Sequence, residues 1–216
     1  KKSLVGSYGN LGIVYTLKAD YRKAQTLLLK AIQTADEIKI ADKIPSIYMQ
    51  LGTVYNYLKE TEKAREYYHK ALNYSPPYDE LGIANINLNI GTTYQNVFPR
   101  DMAFHYFNEA LNIYRKLNNN FGMVMAYSGI AHMLIHMSDT SFIRLKQAGY
   151  FKILDPKAVN QFELASICLD EALSLDKMVS RSHSTAFILY LIGENNTYKK
   201  NYPEALKYVR EALQLA

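Results

Sequence analysis

The segment Leu11-Gly12-Ile13-Val14-Tyr15 returns as Leu51-Gly52-Thr53-Val54-Tyr55 and again as Ile90-Gly91-Thr92-Thr93-Tyr94. A motif that recurs at a fixed period dictates a stack of like units rather than one globular core. Twelve residues after each glycine stands an alanine (Ala24, Ala64, Ala103), and seven further on another (Ala31, Ala71, Ala110). Between the two alanines sits a large apolar residue: Leu28, Tyr68 or Phe107. Two weaker copies follow, one from Ile130-Ala131 to Ala165, Leu169 and Ala172, the other from Ile192-Gly193 to Ala205, Val209 and Ala212. The landmarks Gly12, Gly52, Gly91, Ala131 and Gly193 are spaced 40, 39, 40 and 62 residues apart, so one unit carries an insertion of about two dozen residues.

Apolar residues recur at i, i+3, i+4 and i+7 through both halves of each unit, the period of an amphipathic helix. The chain is therefore predicted to be all-α, a solenoid of five helix pairs. Glycine inside a helix costs about 1 kcal/mol against alanine, so its recurrence at one register implies a close crossing of the first helix (A) on the second (B). Polar breaks such as Lys18-Ala19-Asp20 and Lys59-Glu60-Thr61 fall where a helical hairpin turns. Pro45, Pro76, Pro77 and Pro203 stand near helix starts, where a missing N–H matters least.

These landmarks resemble the tetratricopeptide repeat family along nearly the whole chain. Tyr8 and Tyr48 fill its aromatic opening slot and Pro76 its closing one, while Asn87, Tyr127 and Leu189 depart from the pattern. The period near 40 is similar to the longer-helix members found in bacterial regulators, sensors and cargo adaptors. The resemblance implies a right-handed superhelix, with A helices lining a concave groove, in a single domain with repeats at 5–40, 42–77, 79–118, 120–177 (insertion 138–159) and 178–216. It also implies a non-catalytic scaffold that binds protein or peptide in the groove, the sensing or regulatory part of a larger bacterial signalling protein; a structural adaptor that assembles through its convex or terminal surfaces is one alternative.

Candidate groove residues follow from superposing the repeats. By the resemblance, the residue two before each landmark points inward: Asn10, Gln50, Asn89, Gly129 and Leu191. Three successive amides carry both donors and acceptors for the backbone of an extended peptide. Neighbouring candidates are Thr53, Asn56, Tyr57, Asn85, Gln95 and Asn96, with His132 and His136 in the fourth repeat. Members that clamp acidic chaperone tails place Lys and Asn where this chain has Gly9 and Ile13, so that clamp is not expected.

His132-Met133-Leu134-Ile135-His136 has the frame of a helical zinc motif, yet Met133 stands where a metalloprotease keeps its general base. Groove polarity is the expected role of the two histidines; a metal or small-molecule sensor is the alternative. No phosphate-binding glycine loop and no Ser–His–Asp grouping can be assembled, and no cofactor is expected. The single Cys168 excludes an internal disulfide and falls among apolar residues, where it reads as an inert buried thiol.

The net charge of +5 is confined to the first third, where residues 1–72 hold 12 Lys/Arg against 7 Asp/Glu. There the signs alternate, as in Lys59, Glu60, Glu62, Lys63, Arg65 and Glu66, which suits a solvated helix face and not a phosphate-tracking stripe. Nucleic acid is accordingly not expected as a partner, and no apolar run reaches the roughly 18 residues of a membrane span, so membrane contact by this segment is not expected either. The start at Lys1-Lys2-Ser3-Leu4, without methionine, and the open final helix from Arg210 lead us to expect a segment of a longer protein.

The insertion 138–159 carries Phe142, Ile143, Leu145, Tyr150, Phe151, Ile153 and Leu154, too apolar for a solvated loop. It is expected to fold back as a lid or extra helix in preference to docking a partner. Asp155-Pro156 reads as the start of the following B helix, running to about Leu175.

Overall fold

Among the described residues ten helices carry the landmarks, and one further helix is inserted before the last landmark alanines of the fourth repeat. The structure, a computed structural model, describes residues 2–95, 97, 100–154, 157–179 and 182–215. Its helices are α1 (Lys2–Leu17), α2 (Tyr21–Glu37), α3 (Ile44–Tyr57), α4 (Thr61–Tyr74), α5 (Glu80–Tyr94), α6 (Asp101–Lys116), α7 (Asn120–Ile135), α8 (Asp139–Gln147), α9 (Gln161–Val179), α10 (Ser182–Tyr198) and α11 (Tyr202–Leu215). A short 3-10 helix, Tyr150–Ile153, follows α8, and the described residues contain no strand. The chain divides into two units, Lys1–Thr93 and Tyr94–Ala216.

In the first unit Gly12 and Gly52 meet large side chains of their own hairpin partners. A Cβ placed on Gly12 would lie 2.7 Å from Leu28, and one on Gly52 would lie 2.6 Å from the Tyr68 ring. Ala24, Ala31, Ala64 and Ala71 are fully buried, and so are Leu28 and Leu51. Burying one such large apolar side chain stabilises by about 1.5–3 kcal/mol. Arg65 on α4 is buried as well; its guanidinium pairs with Glu62 and donates to the Thr93 carbonyl at 3.4 Å, tying α4 to α5.

Turns within and between the helix pairs share a device that the sequence hides. Ala19, Lys39, Lys59, Asn118 and Lys200 all have φ between 51° and 63°, the left-handed region. Each follows a helix, and its N–H and the next one bond back to the last turn, as Lys59 N to Asn56 O (3.0 Å) and Glu60 N to Tyr55 O (2.9 Å). This is the usual closure of a helix C-terminus, made here without glycine.

In the second unit Ala103, Ala110, Ala165 and Ala172 are fully buried, Phe107 lies under Gly129, and Val209 lies 2.6 Å from a Cβ position on Gly193. The inserted segment folds back as an extra helix packed on α6. Phe151 sits 4.9 Å from both the Phe104 and Phe142 rings, Arg144 pairs with Asp101 at 2.6 Å, and Asn108 Nδ2 donates to the Tyr150 carbonyl at 3.4 Å. Phe142, Leu145 and Phe151 are buried; Ile143 remains exposed.

The B helix of the fourth pair starts later than the sequence suggested. Asp155 and Pro156 lie outside the described residues, and α9 begins at Gln161. Asn160 is the reason: its Oδ1 accepts the Glu163 N–H at 2.9 Å, while Glu163 Oε2 reaches back to the Val159 N–H at 2.6 Å. Two helix-end donors are thus satisfied from within the chain, a variant of the capping box.

Candidate peptide-binding site

Seven of the expected groove residues belong to the first unit, where two of them converge. Asn10 on α1 and Gln50 on α3 line a pocket of about 100 Å³ between these A helices. Its apolar lining comes from Val5, Leu28 and Ile47, all buried, with Ile13 partly exposed beside them. Gly6 and Gly9 open one wall because they have no side chain: a Cβ on Gly6 would meet nothing within 4 Å. Lys43 and Ser46, at the start of α3, complete it. The arrangement joins an apolar hollow to two amides, which can pair with both the N–H and the C=O of a passing chain.

The other first-unit candidates are used differently. The Thr53 hydroxyl donates to the Met49 carbonyl and lies 3.1 Å from the Tyr68 hydroxyl, which places it inside the helix pair. Burial pushes the Tyr68 hydroxyl up to about 12, so it stays a donor. Tyr57, half exposed, stacks on Tyr21 with ring centroids 5.0 Å apart. Asn56 is half-buried in the last turn of α3, where its carbonyl accepts the Lys59 N–H. Asn85 and Asn89 are half-buried on α5, and neither is among the residues that line the pocket.

A larger hollow of about 450 Å³ is lined by Leu11, Tyr15 and Leu27, with Arg22 and Lys23 beside them. Leu11 and Tyr15 stand at the register where Leu51 and Tyr55 are buried.

In the second unit the inward register expected for Gly129 and Leu191 is a packing register. A Cβ on Gly129 would stand 2.8 Å from Phe107, and Leu191 is fully buried. Gln95 Nε2 donates to the Gly129 carbonyl at 3.1 Å. Asn96 lies outside the described residues. His132 and His136 are half-buried with ring centroids 4.7 Å apart, and His136 Nε2 lies 3.4 Å from Glu194 Oε1 on α10. Burial, then the neighbouring His136, holds the His132 imidazole below its ordinary value, with Arg100 adding to the effect against the opposing pull of Glu194. Among the described residues no group of three or more His, Cys, Asp or Glu is arranged to hold a metal ion. Cys168 is buried, and that burial drives its thiol far up, which keeps it protonated and unreactive.

Sequence reasoning missed Glu194, Gly6 and Lys43. A signal existed for two of them. Glu194 follows its landmark by one residue, the register of His132, and Gly6 precedes Gly12 by six, the register of Ser46 before Gly52. The exposed Lys43, at the start of α3, carried none.

Residues 4–76, which build this pocket, match the family model of the tetratricopeptide repeat. They are tetratricopeptide repeats. Solved structures extend the likeness over the chain. BtubC (BKLC) from P. vanneervenii is 19% identical, with a TM-score of 0.72 over 99% of this chain and 80% of that one. The apo form of RapI is 17% identical, with a TM-score of 0.74 over 98% of this chain and 70% of that one. YrrB, described as a TPR protein with an unusual peptide-binding site, is 16% identical, with a TM-score of 0.52 over 96% of this chain and 84% of that one. At these identities the likeness is one of fold, and the fold is a tetratricopeptide solenoid. No curated protein matches the sequence. No helix among the described residues is long and apolar enough to cross a membrane.

Proposed function

We propose that this chain is a non-catalytic interaction scaffold that holds an extended segment of a protein partner, as the recognition part of a larger regulatory protein. The observation that carries this reading is the convergence of Asn10 and Gln50 on one apolar-lined pocket between α1 and α3. An extended peptide offers unpaired N–H and C=O groups along its length, and side-chain amides can satisfy both while a pocket selects one side chain. The peptide-binding site named for YrrB supports the class of ligand.

Selection of a random-peptide display library on the wild-type chain, on Gly6→Leu and on Asn10→Ala/Gln50→Ala tests it. Gly6 lines the pocket and its Cβ position is open, so leucine there is expected to obstruct the pocket while leaving the Gly12–Leu28 crossing intact. Enrichment by wild type and its loss in both variants is the expected result. Equal enrichment by all three proteins would sink the pocket reading. It would favour an assembly adaptor, for which the exposed Leu206 and Leu213 of α11 offer an apolar face.

A further inference from the structure

The pocket is asymmetric in charge, and the asymmetry specifies the partner more closely than the amides do. Lys43 lines it and no acidic residue does. Lys43 also lacks an ion pair among the described residues, whereas Lys2 pairs with Asp42 at 3.4 Å. Asp42 immediately precedes Lys43 in sequence, so the neighbouring carboxylate is engaged with Lys2, and Lys43 is an exposed residue in the lining of an apolar hollow.

Size limits the occupant as well. A pocket of about 100 Å³ is well below the roughly 300–1,000 Å³ of small-molecule sites and suits a single side chain. With Val5, Leu28 and Ile47 in its lining, that side chain is aliphatic. Successive residues of an extended chain advance by about 3.3 Å, so a group one or two positions away lies within the sweep of a lysine stem.

We propose that the α1–α3 pocket takes a short aliphatic side chain, Val, Ile or Leu, from an extended peptide that carries a carboxylate within two residues, and that Lys43 meets this carboxylate. The inference rests on the scaffold reading above and adds the chemistry of the ligand. Asn10 and Gln50 hold the peptide backbone; Lys43 sets the sign of the flanking residue.

The test is a charge swap in the full 216-residue chain. Random heptapeptides are selected on wild type, Gly6→Leu and Lys43→Glu, and the enriched peptides are synthesised with free and with amidated C-termini. Wild type is expected to enrich Val, Ile or Leu with Asp or Glu within two positions. Lys43→Glu is expected to keep the aliphatic residue and exchange the acid for Lys or Arg. A solvent-exposed pair contributes little, so the wild-type peptide should lose about threefold to fivefold in affinity on Lys43→Glu, and less at high salt. Amidation separates the two sources of the carboxylate: a side-chain acid tolerates it, and a C-terminal one does not. The same flanking preference in wild type and Lys43→Glu would overturn the inference, while loss of binding in Gly6→Leu would leave the scaffold reading standing. Enrichment untouched by Gly6→Leu, or none by wild type, would overturn both.

Discussion

Tyr68 occupies the space that a side chain on Gly52 would need: a Cβ there would stand 2.6 Å from Tyr68 Cδ1 and 2.7 Å from Cε1. Tyr68 is fixed by burial and by its hydroxyl contact with Thr53, so the ring has little freedom to retreat. Gly52→Leu should therefore destabilise the protein by about 3 kcal/mol or more, read as a shift in the denaturant midpoint. Gly6 supplies the contrast. Its Cβ position is open, so Gly6→Ala should be neutral or stabilise by up to about 1 kcal/mol through helix propensity alone. Equal losses at the two positions would show that the A–B crossing is not set by this register.

Lys59 holds φ at 63°, a conformation that costs an L-residue about 1–2 kcal/mol and a glycine almost nothing. Glycine also loses more freedom on folding, which returns part of that gain. Lys59→Gly should still raise stability, by about 0.5–1 kcal/mol, with the turn bonds to Asn56 and Tyr55 retained. A fall in melting temperature would mean that the lysine side chain, whose ammonium stays in solvent, contributes more to the turn than its backbone costs.

The packing register was legible because steric exclusion acts on residue type: a larger side chain does not fit at Gly12, Gly52 or Gly193, where Leu28, Tyr68 or Val209 presses on the partner helix. The groove was less legible. The register shared by Asn10 and Gln50 also holds Gly129 and Leu191, and whether it faces an opening or a neighbour depends on the bulk of the facing helix. Leu28 leaves room beside Gln50, while Phe107 closes on Gly129. The start of α9 was misplaced for a local reason. Asp155-Pro156 and Asn160-x-x-Glu163 are both start signals a few residues apart, and periodicity cannot choose between them.

Asn160 is the residue that makes that choice, since its side chain accepts the Glu163 N–H at 2.9 Å and its carbonyl accepts from Leu164 at 3.2 Å. Asn160→Ala should cost about 1 kcal/mol, while Asn160→Asp should cost little because the carboxylate keeps the acceptor at a helix N-terminus. Hydrogen exchange at Gln161–Leu164 should accelerate in the alanine variant alone. Unchanged protection there would assign the helix start to some other residue.

His132 gives the fold a dependence on pH whose sign can be worked out. Burial, followed by the charges of its neighbours His136 and Arg100, holds the folded-state value below the ordinary 6.5, with Glu194 opposing. The unfolded chain therefore binds the proton more readily. Stability is complete above about pH 6.5 and is lost as pH falls toward the folded-state value. His69, lowered by its own burial and by Arg65, acts in the same direction in the first unit. Denaturant unfolding from pH 8 to pH 5 should show the loss, and His132→Phe, which keeps the ring and removes the proton site, should flatten part of it. A His132→Phe profile parallel to wild type would exclude His132 as a source of the acid sensitivity.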